Sequence, residues 1–99
     1  MSTPQKPISI TVKSFATLRK VMDAQISVTL PGGATVRSLL TELTSRYAGL
    51  EEIIFSSPGT LRDFVNILKN GRNIEFLAEL DTPLAEGDLV ALFPPAAGG

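Results

Sequence analysis

Residues 26–43, Ile26-Ser27-Val28-Thr29-Leu30-Pro31-Gly32-Gly33-Ala34-Thr35-Val36-Arg37-Ser38-Leu39-Leu40-Thr41-Glu42-Leu43, change their hydrophobic period halfway along. Ile26, Val28 and Leu30 alternate with Ser27 and Thr29, the pattern of a strand with one buried face. Pro31-Gly32-Gly33 ends that strand. Thr35 then suits a helix N-cap, since its hydroxyl can accept from a backbone N–H left unpaired in the first turn. Val36, Leu39, Leu40, Leu43 and Tyr47 follow at spacings that build one apolar stripe. Arg37, Ser38, Thr41, Glu42 and Ser45 occupy the other faces, and Gly49 is a stop signal. A strand therefore hands the chain to an amphipathic helix that needs a sheet to cover.

The flanks supply the sheet. Upstream, Ile8, Ile10 and Val12 alternate with Ser9, Thr11 and Lys13, a first strand joined to the second by a wide loop over residues 14–25. Downstream, Leu50, Ile53, Ile54 and Phe55 suit a short helical turn covering the core, and Ser56-Ser57-Pro58-Gly59 is turn chemistry. Phe64-Val65-Asn66-Ile67-Leu68 reads as a third strand, and Asn70-Gly71 as a tight hairpin turn. A short fourth strand near Ile74–Phe76 pairs back, and Leu89–Phe93 forms the last. One helix covers one face of such a sheet, so the expected class is α+β. A hairpin, a crossing helix and a returning strand are the ingredients of a β-grasp, with a mixed sheet of four to five strands and one main helix packed on one face. Residues 8–93 read as one domain, 1–7 as a flexible leader and 94–99 as a flexible tail.

Composition closes many routes to chemistry. The 99 residues contain no Cys and no His. That removes thiolate nucleophiles, zinc–cysteine sites, imidazole metal ligands and the Ser-His-Asp triad. The ten carboxylates show no recognisable acid–base pairing, so neither a catalytic residue nor a metal site is expected. A net charge of −1 gives no general attraction to nucleic acid or anionic membranes. The sequence holds no apolar run long enough to span a bilayer. Met1–Pro7 lacks the apolar stretch of a secretory signal, and the expectation is a cytoplasmic protein.

The sharpest feature is the end, Pro94-Pro95-Ala96-Ala97-Gly98-Gly99. The prolines end the sheet and favour an extended chain. Six residues at about 3.3 Å each reach roughly 20 Å from the body. The alanines are small, and the glycines allow a backbone to approach where a Cβ would clash. Such a thin probe ends in a carboxylate that is inert until activated. An ATP-dependent partner can convert it to an acyl-adenylate, which then accepts sulfur or an amine. On this reading Gly99 is the reactive residue, Gly98 gives access, and no protease has to expose the tail.

Asn70-Gly71, Leu84-Ala85-Glu86-Gly87-Asp88-Leu89-Val90 and Phe93-Pro94-Pro95-Ala96-Ala97-Gly98-Gly99 together resemble the ubiquitin-like sulfur carriers of the MoaD/ThiS family. The resemblance extends over about residues 8–99. It includes the small archaeal modifier proteins and the small subunit of molybdopterin synthase. Its most specific part is L-x-x-G-D-x-V followed by F-P-P-x-x-G-G. It implies a β-grasp and activation by an E1-like adenylyltransferase that uses ATP, with no stably bound cofactor. It further implies a thiocarboxylate at Gly99 or an isopeptide bond from Gly99 to a target lysine. The alternatives it leaves are a dedicated subunit that hands sulfur to the large subunit of molybdopterin synthase, and a sulfur carrier for cysteine synthesis. Residues 50–63 are longer than in the shortest members, and Ser57-Pro58-Gly59, Leu61 and Phe64-Val65-Asn66 resemble the cysteine-synthesis branch.

In that family an apolar patch docks the activating enzyme or the synthase. The corresponding positions here are Phe15, Phe93, Ile74 and Phe76, with Pro94 and Pro95 leading into the tail. Charge is divided along the chain. After Arg72 there are five acidic residues (Glu75, Glu79, Asp81, Glu86, Asp88) and no basic one, which favours a basic partner groove. Lys69 and Arg72 are candidates to guide the tail, and Lys6, Lys13, Lys20 and Lys69 are candidate acceptors of a modifier. Gly32-Gly33 lacks the Lys-Ser/Thr and the spacing of a P-loop and reads as a turn.

Overall fold

The computed structural model describes residues 6–95. Strand β1 (Ile8–Ser14) and strand β2 (Gln25–Leu30) form an antiparallel hairpin in the register Ile8 to Leu30 and Val12 to Ile26. Its wide connection is not featureless. A 3₁₀ turn at Ala16–Lys20 drops Leu18 into the core, and Met22 follows it. Helix α1 (Val36–Arg46) begins as its sequence dictates: Ser38 N donates to Thr35 Oγ1 at 3.3 Å, and Thr35 N donates to Ser38 Oγ at 3.2 Å. Val36, Leu39, Leu40 and Leu43 are fully buried beneath it. Tyr47, past the helix end, donates its hydroxyl to Asp23 Oδ2 at 3.1 Å. Partial burial and then the Asp23 carboxylate push its pKa above the ordinary phenol value.

The residues after α1 form a satellite to the main sheet. Gly49, at φ +89, turns the chain into helix α2 (Leu50–Ile54), which buries Leu50 and Ile54. Strands β3 (Phe55–Ser57) and β4 (Thr60–Leu61) then pair only with each other among the described residues, around Pro58-Gly59. The third strand of the main sheet is shorter than its sequence implies. It is β5 (Asn66–Lys69); Phe64 lies outside it at φ +69. Asn70 (φ +51) and Gly71 (φ +85) make the tight turn to β6 (Arg72–Asn73). The expected strand at Ile74–Phe76 is instead a 3₁₀ turn, because Asn73 Oδ1 accepts from Glu75 N at 2.9 Å and bends the chain out of the ladder. A further 3₁₀ turn, Glu79–Asp81, leads to the final strand β7 (Leu89–Phe93).

Among the described residues the main sheet has five strands, in the order β2-β1-β7-β5-β6. Strand β7 lies at its centre, parallel to β1 and antiparallel to β5. One face packs on α1: Ile10, Val12, Val28, Ile67, Val90 and Leu92 are all buried there. Among the described residues no helix covers the other face, which carries Thr11, Lys13, Leu68, Leu89, Ala91 and Phe93, each half-buried. This is a two-layer α+β domain of mixed sheet and one main helix, the β-grasp expected. No helix among the described residues is long and apolar enough to cross a membrane.

Candidate functional site

The tail root follows the central strand of the sheet. Val90 and Leu92 anchor β7 from the core side, and the neighbouring strands pair with it on both edges. The start of β7 is fixed by Asp88, which is 8% exposed. Its carboxylate accepts from Ala85 N and from Asn70 Nδ2, each at 2.8 Å, and lies 3.7 Å from Lys69 Nζ. Asn70 in turn accepts from Leu89 N at 2.9 Å. Gly87, at φ +83, lets the turn close, and its N–H donates to Ser9 O. The motif Leu84-Ala85-Glu86-Gly87-Asp88 is thus a clamp that sets β7 against β1 and the β5–β6 turn. Lys69 belongs to the clamp: Nζ donates to Pro83 O at 2.8 Å.

Beyond β7, Pro94 and Pro95 are half-exposed. Pro95 lines a shallow depression with Ser56, Leu61 and Arg62, so the satellite hairpin stands beside the root of the tail. Ala96, Ala97, Gly98 and Gly99 lie outside the described residues, as do residues 1–5 of the leader.

The docking residues divide. Phe15 and Phe93 come together on the open face, their rings stacked with centroids 4.4 Å apart and planes 7° from parallel. The Arg19 guanidinium lies 5.3 Å from the Phe15 ring centroid and donates from Nε to Ser14 O at 2.9 Å. Ile74 does not join them. It is 3% exposed and packs in the core, because the 3₁₀ turn reverses its side. Phe76 is 84% exposed, but it borders a separate depression with Leu68, Leu77 and Arg72 at the far edge of the sheet. The open face therefore carries two apolar points joined across Ala91 and Leu68, which are cross-strand partners. Sequence reasoning missed a second exposed aromatic, Phe64, because its apolar neighbours made it look like strand interior.

A β-grasp whose central strand ends at Pro94-Pro95 beside an open apolar face has the architecture of the ubiquitin-like class. The chain belongs to the ThiS family, whose model matches residues 12–99. It is 37% identical over 93 residues to small archaeal modifier protein 3 of Haloferax volcanii, an alignment covering 93% of this chain and all of that one. It is 36% identical over 94 residues to sulfur carrier protein CysO of Mycobacterium bovis, again 93% of this chain and all of the relative. Among solved structures, the Amycolatopsis orientalis BexX/CysO complex includes a similar chain. The TM-score is 0.72 at 29% identity, covering 91% of this chain and 99% of that one. The relatives are named as a modifier and a sulfur carrier, and the Amycolatopsis CysO is seen in complex with BexX.

Proposed function

We propose that this protein acts through the terminal carboxylate of Gly99, as a ubiquitin-like modifier and sulfur carrier. A carboxylate oxygen attacks the α-phosphorus of ATP on an E1-like adenylyltransferase; an acyl-adenylate forms and pyrophosphate leaves. Hydrosulfide, delivered by a sulfur donor, then attacks the acyl carbon and AMP leaves, giving a thiocarboxylate. Alternatively a target lysine amine attacks, loses a proton and forms an isopeptide bond. The chain's own contribution is presentation. The observation that carries this reading is the position of β7: the strand that leads into the tail is held on both edges and clamped at its start by Asp88. The probe thus leaves a rigid body beside the stacked Phe15–Phe93 pair. A partner that reads the open face also finds the root of the tail, Pro94-Pro95, in one place.

Similarity to the CysO sulfur carrier over the whole relative favours a second reading, a carrier that gives sulfur to a synthase without forming conjugates. The large subunit of molybdopterin synthase and a cysteine synthase are the two receivers of that kind. The test compares the N-terminally tagged protein with a version lacking Gly98-Gly99 in the native host, on a denaturing, reducing blot. Larger species that survive thiol and vanish on truncation identify a modifier. A single band whose intact mass shows sulfur in place of oxygen identifies a dedicated carrier. Purified truncated protein that is still adenylated overturns both. No Lys or Arg follows Arg72, so trypsin leaves residues 73–99 on a modified lysine, and an Ala97→Arg variant is needed to map sites.

A further inference from the structure

Phe64 departs from what folding alone would select. It is 77% exposed, and its φ of +69 lies in the region that residues with a bulky side chain avoid. The fold pays backbone strain there without burying the ring, and such strain persists only where the surroundings impose it. They do. Arg62 N donates to Ile54 O at 2.8 Å, and Val65 N donates to Arg62 O at 3.3 Å, which closes a turn around Asp63-Phe64. Asn66 Nδ2 approaches Phe64 O at 3.4 Å. Asn66 Oδ1 accepts from Asn73 Nδ2 at 3.1 Å, and Asn73 Oδ1 accepts from Glu75 N. A chain of amides thus ties the strained residue to β5, to β6 and to the Ile74–Phe76 turn.

The ring stands over a groove of about 350 Å³, to which Ile67, Ile74 and Leu80 contribute apolar surface. Asp63, Glu75 and Glu79 also line it, and none of the three has an ion-pair partner among the described residues. Arg62, the one basic residue of the lining, already donates from Nε to Glu52 O at 2.8 Å. The groove is acidic around an apolar floor. It is also continuous with the tail root. Asn66 is the cross-strand partner of Phe93, and Leu61 and Arg62 line both this groove and the depression at Pro95.

We propose that this groove is a second docking element for the adenylating partner, receiving an apolar side chain flanked by lysine or arginine. The proposal rests on the reading of Gly99 as the adenylated terminus. An enzyme that binds the ATP triphosphate gathers positive charge around the mouth the tail enters. Asp63 lines both this groove and the depression at Pro95, so its carboxylate meets that charge within about one Debye length, roughly 8 Å at physiological salt. Phe64 supplies the apolar contact, and the turn that strains it holds it at a fixed distance from β7. The insertion after α1 is then a specificity element that a shorter carrier lacks.

The test is ATP–pyrophosphate exchange by the native host's E1-like adenylyltransferase, with the full chain as variable substrate. Phe64→Gly relieves the backbone and is expected to fold with an unchanged or raised Tm. Its KM should rise at least tenfold while kcat stays within about twofold, the pattern of lost uniform binding. Glu75→Lys with Glu79→Lys should raise KM further and flatten its salt dependence. Wild-type KM and salt dependence in both variants overturn the docking element alone. Absence of exchange with the wild-type chain overturns the Gly99 reading and the docking element with it.

Discussion

Two aromatic residues near the tail teach opposite lessons. Phe93 sits in regular strand, its ring stacked on Phe15 and its inner neighbour Leu92 buried under α1. Folding alone explains why an aromatic side chain stands there, and any docking role is added to a residue already stabilising the body. Phe64 is exposed and strained, with no burial to offset either cost. The first kind of residue reports on stability before it reports on function. The second reports on function because stability does not account for it.

That contrast makes graded predictions. The largest effect belongs to the inner side of β7: Leu92→Ala should destabilise by about 2–5 kcal/mol, as burial is lost and a cavity remains. Urea unfolding monitored by circular dichroism reads it as a lower midpoint at constant slope. A change under 1 kcal/mol would mean that β7 is not the rigid root assigned to it. Next, Asp88→Ala leaves Ala85 N and Asn70 Nδ2 without their acceptor and should cost about 1–3 kcal/mol. Hydrogen exchange should then quicken at Ala85 and Leu89 before it quickens in α1. The smallest pair sharpens the comparison most. Phe93→Ala should lose about 1 kcal/mol or more as the stack is removed, whereas Phe64→Gly should be neutral or stabilise by up to about 1 kcal/mol through relief of strain. Equal losses in the two variants break the distinction drawn here.

The main elements were legible because their signals are local. The change of period at Pro31-Gly32-Gly33, the Thr35 cap and the Asn70-Gly71 turn each act within a few residues, and each appears as its sequence implies. The clamp motif was legible as turn chemistry, yet its purpose was not. Asp88 meets Asn70 and Lys69 from 18 and 19 residues earlier, a meeting that no local pattern records. Ile74 was misplaced on the docking face for the same reason. An apolar residue after a hairpin reads as strand, but the Asn73 side chain captures Glu75 N and turns Ile74 inward. Phe64 was absorbed into β5 because apolar spacing cannot distinguish the last turn residue from the first strand residue.

The sequence by itself determined the α+β class, the single main helix and the lack of thiol or imidazole chemistry. These follow from composition and short-range periodicity, which a linear chain carries in full. Only the tertiary structure decided which apolar residues are exposed and which buried, which lysine is engaged, and that the insertion after α1 stands beside the root of the tail. Those are properties of sheet order and of side chains distant in the chain. Burial and charge pairing depend on what lies across the fold, so they arise only when β7 is inserted between β1 and β5.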